Sequence, residues 1–282
     1  MSRIVYVNGE FLPEEEAKIS VFDRGFLFAD GIYEVCTVIN GKLIDNVAHI
    51  ARLRRSMSEL NMPSPASDEE ITDIQAQIVS QNELENGLVY LQITRGAADR
   101  DFAFPVEPKP SLVMFTQVLD AVNNPKAERG ISVITVEDVR WKRRDIKTVA
   151  LLPSSMAKQA AVEAGADDAW MVEDGFITEG TSNNVFIITK DNKIITRHLS
   201  NEILHGITRN VVLELAAEKN LVVEERAFTL EEALDAKEAF VTSATAFVMP
   251  VVRINDQPLG NGGPGILSSQ LRAMYIKRAM EA

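Results

Sequence analysis

The chain has 282 residues, enough for one large domain or two modest ones, and its 46 % hydrophobic and 25 % charged residues are the usual mix of a globular protein. Twenty-nine basic side chains against 41 acidic ones leave a net charge of −12, a surface that repels phosphate backbones and anionic lipid and so excludes nucleic acid and membrane as expected partners. A single cysteine, Cys36, rules out an intrachain disulfide and fits a reducing, cytoplasmic setting.

From the start of the chain, Arg3 to Val7 alternates, Asn8-Gly9 turns and Glu10 to Leu12 returns, a strong local hairpin signal. The opening MSRIVYVNGE has no long apolar run, which predicts neither a signal peptide nor a membrane span. Residues 22–35 mix aromatics with glycines. Tyr33 to Ile39 is β-branched and reads as a strand, turned by Asn40-Gly41 into Lys42 to Ile44. Cys36 lies in that apolar strand, where a small core residue is expected rather than a nucleophile. Val47, Ile50, Leu53, Met57 and Leu60 recur at helical spacing, so 46–61 is predicted as an amphipathic helix. Ser67 with Glu70 is a capping box opening a second helix over about 68–81. Gly87 to Thr94 and Leu112 to Thr116 read as strands, with Arg95 to Pro110 a loop between them.

The stretch 118–128, containing Asn123-Asn124-Pro125, lacks periodicity and reads as a linker between a domain at 1–117 and another at 129–282. Strand Ile131 to Val136 follows, then a strand carrying Lys147, a helix from Ser154 to Ala164, strand Ala169 to Val172, the turn Glu173-Asp174-Gly175 and strand Phe176 to Thr178. Val185 to Ile188 and Ile194 to Thr196 are strands joined through Asp191-Asn192. Thr208 to Lys219 is a helix, Leu221 to Glu225 a strand, and Thr229 caps a short helix, Leu230 to Asp235. Strands Ala239 to Thr242 and Val248 to Val252 precede a closing helix, Pro264 to Met280. Strands and helices alternate without a regular β-α-β beat, which predicts an α/β protein of mixed sheets rather than a doubly wound one.

His49, His198 and His205 lack ligand spacing and no Cys/His cluster exists, so no metal is expected. Nucleophile-elbow, dinucleotide and P-loop signatures are absent, as are internal repeats. The chemistry centres on residues 141–184. Lys147 sits in the apolar run Ile146 to Leu152 behind a block of charges; walled by apolar side chains, a lysine loses proton affinity and its neutral amine can attack a carbonyl. Glu179, in Thr178-Glu179-Gly180-Thr181-Ser182-Asn183-Asn184, could hold a pyridinium proton, or serve only as a turn acceptor.

Asp145-Ile146-Lys147, then Thr178-Glu179-Gly180, then Gly206-Ile207-Thr208-Arg209, occur in an order that resembles the class IV (fold type IV) pyridoxal-phosphate aminotransferases. The resemblance covers nearly the whole chain, from Val7-Asn8-Gly9 to the last helix. It implies a small α/β N-terminal domain, a larger pseudo-barrel C-terminal domain, pyridoxal 5'-phosphate held by Lys147 as a Schiff base, Glu179 on the ring nitrogen, and a homodimer whose second subunit completes each site. It further implies phosphate contacts from Arg52, from Gly206, Ile207 and Thr208 at a helix start, and from Ser243-Ala244-Thr245, with Leu204 against the ring face. Taken apart from the family, Arg52 would be a solvated helix face, Gly206 to Thr208 an ordinary cap and Leu204 core. The family often has threonine where Ala244 stands, so only backbone N–H contacts are expected there.

On the substrate side the resemblance implies Tyr33, Ser182 and Arg100. In D-amino-acid transaminases the arginine matching Arg100 reaches from the partner to grip the substrate carboxylate, for which a planar guanidinium is suited. Those enzymes carry a histidine two residues later, where this chain has Phe102. Arg24 could supply a compensating charge or form a structural salt bridge. The expected function is a D-amino-acid transaminase that moves an amino group from a D-alanine-like donor to 2-oxoglutarate. The alternatives are an (R)-selective amine transaminase, a branched-chain L-aminotransferase and, in another reaction class, an aminodeoxychorismate lyase.

Overall fold

The computed structural model describes residues 2–281. They divide into two compact units: the first runs to Ala121 and takes in Ile146–Ala150, and the second comprises Val122–Asp145 and the chain from Leu151 onward. The stretch bearing Lys147 thus packs with the first unit, whereas the sequence pattern places it in a domain at 129–282. Ile146 explains why: its side chain is buried in the first unit's core with Ile32, Leu53 and Ile93.

The first unit is a six-stranded sheet covered by helices. Its elements are β1 (Ile4–Val7), β2 (Glu10–Pro13), the short α1 (Arg24–Phe28), β3 (Gly31–Ile39), β4 (Lys42–Leu43), α2 (Asn46–Glu59), α3 (Asp68–Gln81), β5 (Gly87–Thr94) and β6 (Ser111–Val118). The strand order is β2-β1-β6-β5-β3-β4, and each of these neighbouring pairs is antiparallel. Both predicted hairpins turn on two residues in the left-handed region, Asn8 (φ 50°) with Gly9 (φ 109°) and Asn40 (φ 50°) with Gly41 (φ 74°), the geometry that Asn-Gly favours. Along β5, Val89, Leu91 and Ile93 face one way, into a core shared with Ile50, Leu53 and Met57 of α2 and Ile71, Ile78 and Val79 of α3. Tyr90 and Gln92 face the other way.

In the second unit come α4 (Pro125–Arg129), β7 (Ile131–Glu137), α5 (Leu152–Glu163), β8 (Asp168–Glu173), β9 (Phe176–Gly180), β10 (Asn184–Ile188), β11 (Ile194–Thr196), α6 (Ile207–Glu218), β12 (Val223–Glu225), α7 (Leu230–Asp235), β13 (Glu238–Ser243), β14 (Phe247–Ile254), β15 (Gln257–Pro258) and α8 (Ile266–Glu281). Nine strands form one mixed sheet in the order β12-β11-β10-β13-β14-β7-β8-β9, with β15 on β14. The pairs β11–β12, β14–β7 and β7–β8 are parallel. Ile195 of β11 and Ile177 of β9, from opposite ends of this order, share a core with Val185, Val241, Met249, Val133 and Trp170, so the sheet curls around its own inner face. This is the mixed α/β architecture expected from the alternation of elements.

Two local readings need correction. The stretch read as a linker contains helix α4, where the Asn124 side chain accepts from the Lys126 N–H and Pro125 opens the first turn, a cap signature that the loop-like composition masks. The Lys147 stretch is not a strand. It lies on β3 through one bridge, Ile32 to Thr148, with the Tyr33 N–H donating to the Lys147 carbonyl at 2.9 Å and the Val149 N–H to the Gly31 carbonyl at 3.0 Å.

Candidate active site

Lys147 comes off the first unit's core beside Ile146 and directs its amine at the ring of Tyr33, Nζ lying 4.2 Å from the ring centroid. Tyr33 alternates out of β3, away from the helices, and stacks on Tyr90 at 5.5 Å. Tyr90 in turn stacks on Phe115 at 4.7 Å, and burial, reinforced by Tyr33, pushes its phenol above the usual range. The aromatic row gives the Lys147 amine a firm apolar wall on one side.

Arg52 is buried, contrary to the solvated helix face that its spacing alone would suggest. It is gripped at both ends of its fork by Glu34 of β3, Nε to Oε1 at 2.8 Å and Nη2 to Oε2 at 2.7 Å, and His49 Nδ1 lies 2.8 Å from the same carboxylate. Burial pushes the Glu34 carboxyl up, but Arg52 and His49 outweigh it and hold the group at about 2. His49 and Arg52 fall one turn apart on α2 and so meet one carboxylate. The sequence reading contains neither of these neighbours of Arg52; the i, i+3 spacing is the available signal for His49, and only the strand register reveals Glu34.

Glu179 is buried on β9. Arg140 donates to its Oε1 at 2.6 Å, and the Asn184 amide and the Leu204 N–H each donate to Oε2 at 3.1 Å. Burial raises the Glu179 carboxyl above its ordinary value, with Arg140 pulling the other way. Arg140 is itself clamped by Asp138, at 2.9 and 2.7 Å, and the Thr178 hydroxyl donates to that aspartate at 2.6 Å. Arg140, Asp138 and Asn184 escape sequence reasoning, although Asn184 stands inside the Thr178-to-Asn184 motif.

Asn184 ties Glu179 to the next segment, since its amide also donates to the Leu204 carbonyl at 2.9 Å. Gly206 then caps α6 with no side-chain bond, and a Cβ built there would lie 2.0 Å from Asn184 Oδ1. Glycine is required, and the first-turn N–H groups of the buried Ile207 and Thr208 stand at a helix N-terminus, an end whose orphan donors and dipole suit an anion. Ser243 and Ala244 lie at the turn between β13 and β14, where Ser243 Oγ accepts from the Ala246 N–H at 3.2 Å. Ser182 is exposed in the turn after β9, which Thr181 and Asn183 pin to the Asp168 carboxylate at 2.6 and 2.7 Å. Within the second unit, a buried carboxylate with an upward shift and a glycine-capped helix start suit, in their chemistry, the ring nitrogen and the phosphate of pyridoxal phosphate; within the first, the lysine amine stands on an aromatic wall.

Arg100 and Phe102 are exposed together on the connection between β5 and β6, beside Phe28. Arg24 forms the salt bridge rather than a spare charge, its Nε on Asp30 Oδ2 at 2.7 Å. Among the described residues no group of three or more His, Cys, Asp or Glu is placed to hold a metal ion, and no helix is long and apolar enough to cross a membrane.

The family model described as amino-transferase class IV matches residues 31–254. A D-alanine aminotransferase of Staphylococcus aureus is 38 % identical over 274 residues, 97 % of this chain and 96 % of that protein. One of Bacillus licheniformis is 40 % identical over 270 residues, 95 % of this chain and 94 % of the other. Among solved structures, a T.th. branched-chain amino acid aminotransferase with pyridoxamine 5'-phosphate superposes with a TM-score of 0.92 at 25 % identity, covering 99 % of this chain and 94 % of that one. Its counterpart from Escherichia coli shares the fold at a TM-score of 0.89 and 20 % identity, over 99 % and 95 % of the two chains.

Proposed function

We infer how this chain works from its kinship: it belongs to the class IV amino-transferase family, and it is a transaminase of D-amino acids. The full-length identity to D-alanine aminotransferases from more than one genus supports the donor class, and 2-oxoglutarate is the proposed acceptor. Bound pyridoxal phosphate would supply an electron sink for the carbanion left when the Cα proton departs. Lys147 would provide the amine that holds the cofactor and the base that carries the α-proton. The apolar wall of Tyr33 limits the positions open to that amine.

Glu179 would hold the proton at the ring nitrogen. Its burial makes a lone negative charge costly, and a positive N–H partner offsets that cost. Arg140, Asn184 and the Leu204 N–H fix the carboxylate in place. Gly206, Ile207 and Thr208 bind phosphate through backbone N–H groups and the Thr208 hydroxyl, with Ser243 and Ala244 as a second loop and Arg52 as the neutralising charge. Arg100 receives the substrate carboxylate, acting on the partner subunit of a homodimer. That assembly is supported by apolar side chains left at the surface of the first unit, Val21, Phe22, Phe26, Phe102 and Phe104. A cytoplasmic setting belongs to the same reading, supported by a chain whose single cysteine is a free, buried thiol.

The observation that carries the site assignment is the buried, three-donor Glu179 carboxylate. The test is a set of half-reactions followed by the cofactor's visible absorbance with D-alanine, L-alanine, D-glutamate and (R)-1-phenylethylamine. The D-amino acids convert the cofactor and L-alanine does not. Borohydride reduction followed by peptide mapping labels Lys147; a label on Lys158 or another lysine overturns the assignment.

A further inference from the structure

The connection between β5 and β6 leaves through Gly96, whose φ of +88° and whose absent Cβ, 1.8 Å from the Lys109 carbonyl if built, force the chain into a tight reversal. Beyond it stands Arg100, an exposed side chain with many rotamers, which the proposed function makes the carboxylate ligand. A flexible ligand of that kind binds weakly unless something holds it in place.

Arginines and phenyl rings alternate here. The Arg95 guanidinium lies 3.7 Å from the Phe104 centroid, that of Arg24 5.5 Å from Phe104 and 4.6 Å from Phe28, and that of Arg100 5.5 Å from Phe28 and 5.6 Å from Phe102. Phe28 and Phe102 are 5.6 Å apart. The inner end is anchored: Arg95 and Arg24 share the Asp30 carboxylate, and Arg95 donates to the carbonyls of Leu60 and Asn61 at 3.0 and 3.2 Å, past the end of α2. Arg24, 3 % exposed, also donates to the carbonyls of Asp101 and Ala103, at 2.7 and 3.2 Å. Those two carbonyls flank Phe102.

We propose that Arg24 and Phe28 are positioning residues that set the guanidinium of Arg100, Arg24 by pinning the backbone on both sides of Phe102 and Phe28 by offering Arg100 a ring face. Phe102 completes the seat. Where D-amino-acid transaminases have a histidine, this chain holds its carboxylate ligand by aromatic packing. The inference rests on Arg100 being that ligand, and the experiment separates the two.

Arg24→Lys keeps the charge but loses the fork that spans Asp30 and two carbonyls; Phe28→Leu keeps apolar volume but loses the ring face. In the holoenzyme each raises KM for D-alanine by about tenfold at near-native kcat, spares (R)-1-phenylethylamine, and weakens calorimetric binding of propionate, a carboxylate without an amine, by about the same factor. Neither adds to the loss caused by Arg100→Ala when the two are combined, because both act through that side chain. Equal losses on both substrates, full additivity with Arg100→Ala, or unchanged propionate binding overturns the positioning role. Should Arg100→Ala itself leave propionate and D-alanine unaffected, the carboxylate-ligand reading fails and the inference with it.

Discussion

At the scale of single residues, two buried glutamates carry opposite shifts because their partners differ. Glu34 has a bidentate arginine and a histidine on one carboxylate, and it is held at about 2 despite burial. A carboxyl whose folded value lies below the ordinary 4.5 stabilises the fold fully above that pH and loses the contribution as pH falls toward the folded value. The shift from 4.5 to about 2 corresponds to about 3 kcal/mol. Urea midpoints of the native protein and Glu34→Gln should therefore differ most at neutral pH and converge between pH 4.5 and about 2; a gap that stays constant over that window refutes the linkage. Glu179 has one arginine that Asp138 also claims, and burial wins. Glu179→Gln keeps the size of the side chain and one acceptor oxygen, replaces the other acceptor with an amide NH2 that faces donors, and cannot hold a ring proton. It should bind cofactor and transaminate about a hundredfold or more slowly. Near-native kcat would make Glu179 a structural residue.

At the scale of elements, the legible parts are those with local signals. The Asn-Gly turns, the spacing of Ile50, Leu53 and Met57, and the Ser67/Glu70 box each act within a few residues, and the structure shows all of them. The box closes in both directions, Ser67 Oγ accepting from the Glu70 N–H and Glu70 from the Ser67 N–H. Ser67→Ala should cost about 1 kcal/mol, read as a lowered urea midpoint with an unchanged slope, and should leave KM for D-alanine untouched, since α3 faces the first unit's core through Ile71, Ile78 and Val79. What sequence cannot supply are long-range pairings. Arg140 meets Glu179 across 39 positions, and Asp30 joins Arg95 across 65. Neither spacing has a period, so no pattern exposes it. The helix α1 escapes for a different reason: its five residues, RGFLF, are too few to show a period, and its cap, Asp23 on the Gly25 N–H, is the only local cue. The Lys147 stretch reads as a strand because its apolar residues suit one, yet a single bridge to β3 satisfies it.

At the scale of the whole molecule, the proposed homodimer would give Phe26 and Phe102, 75 % and 79 % exposed, a surface to bury against, where burying apolar area is favourable. If Arg100 then serves the partner's site, the two halves of the chemistry belong to different chains: Lys147 to one protomer and the carboxylate ligand to the other. Arg100→Ala alone should lose about two to three powers of ten in kcat/KM for D-alanine, the cost of leaving one partner of a charge-assisted pair alone, while (R)-1-phenylethylamine is spared. Lys147→Ala alone should be inactive on both. Mixed, dissociated and reassociated in equal amounts, the two variants form hybrids in about half of the dimers, and each hybrid has one site with both residues intact. D-alanine turnover should therefore recover to about a quarter of the native rate by random pairing. An arginine that acted within its own chain gives no recovery, because every site in the mixture would then lack one of the two groups. Recovery without a dimer-sized species in solution would contradict the pairing from which the rest is reasoned.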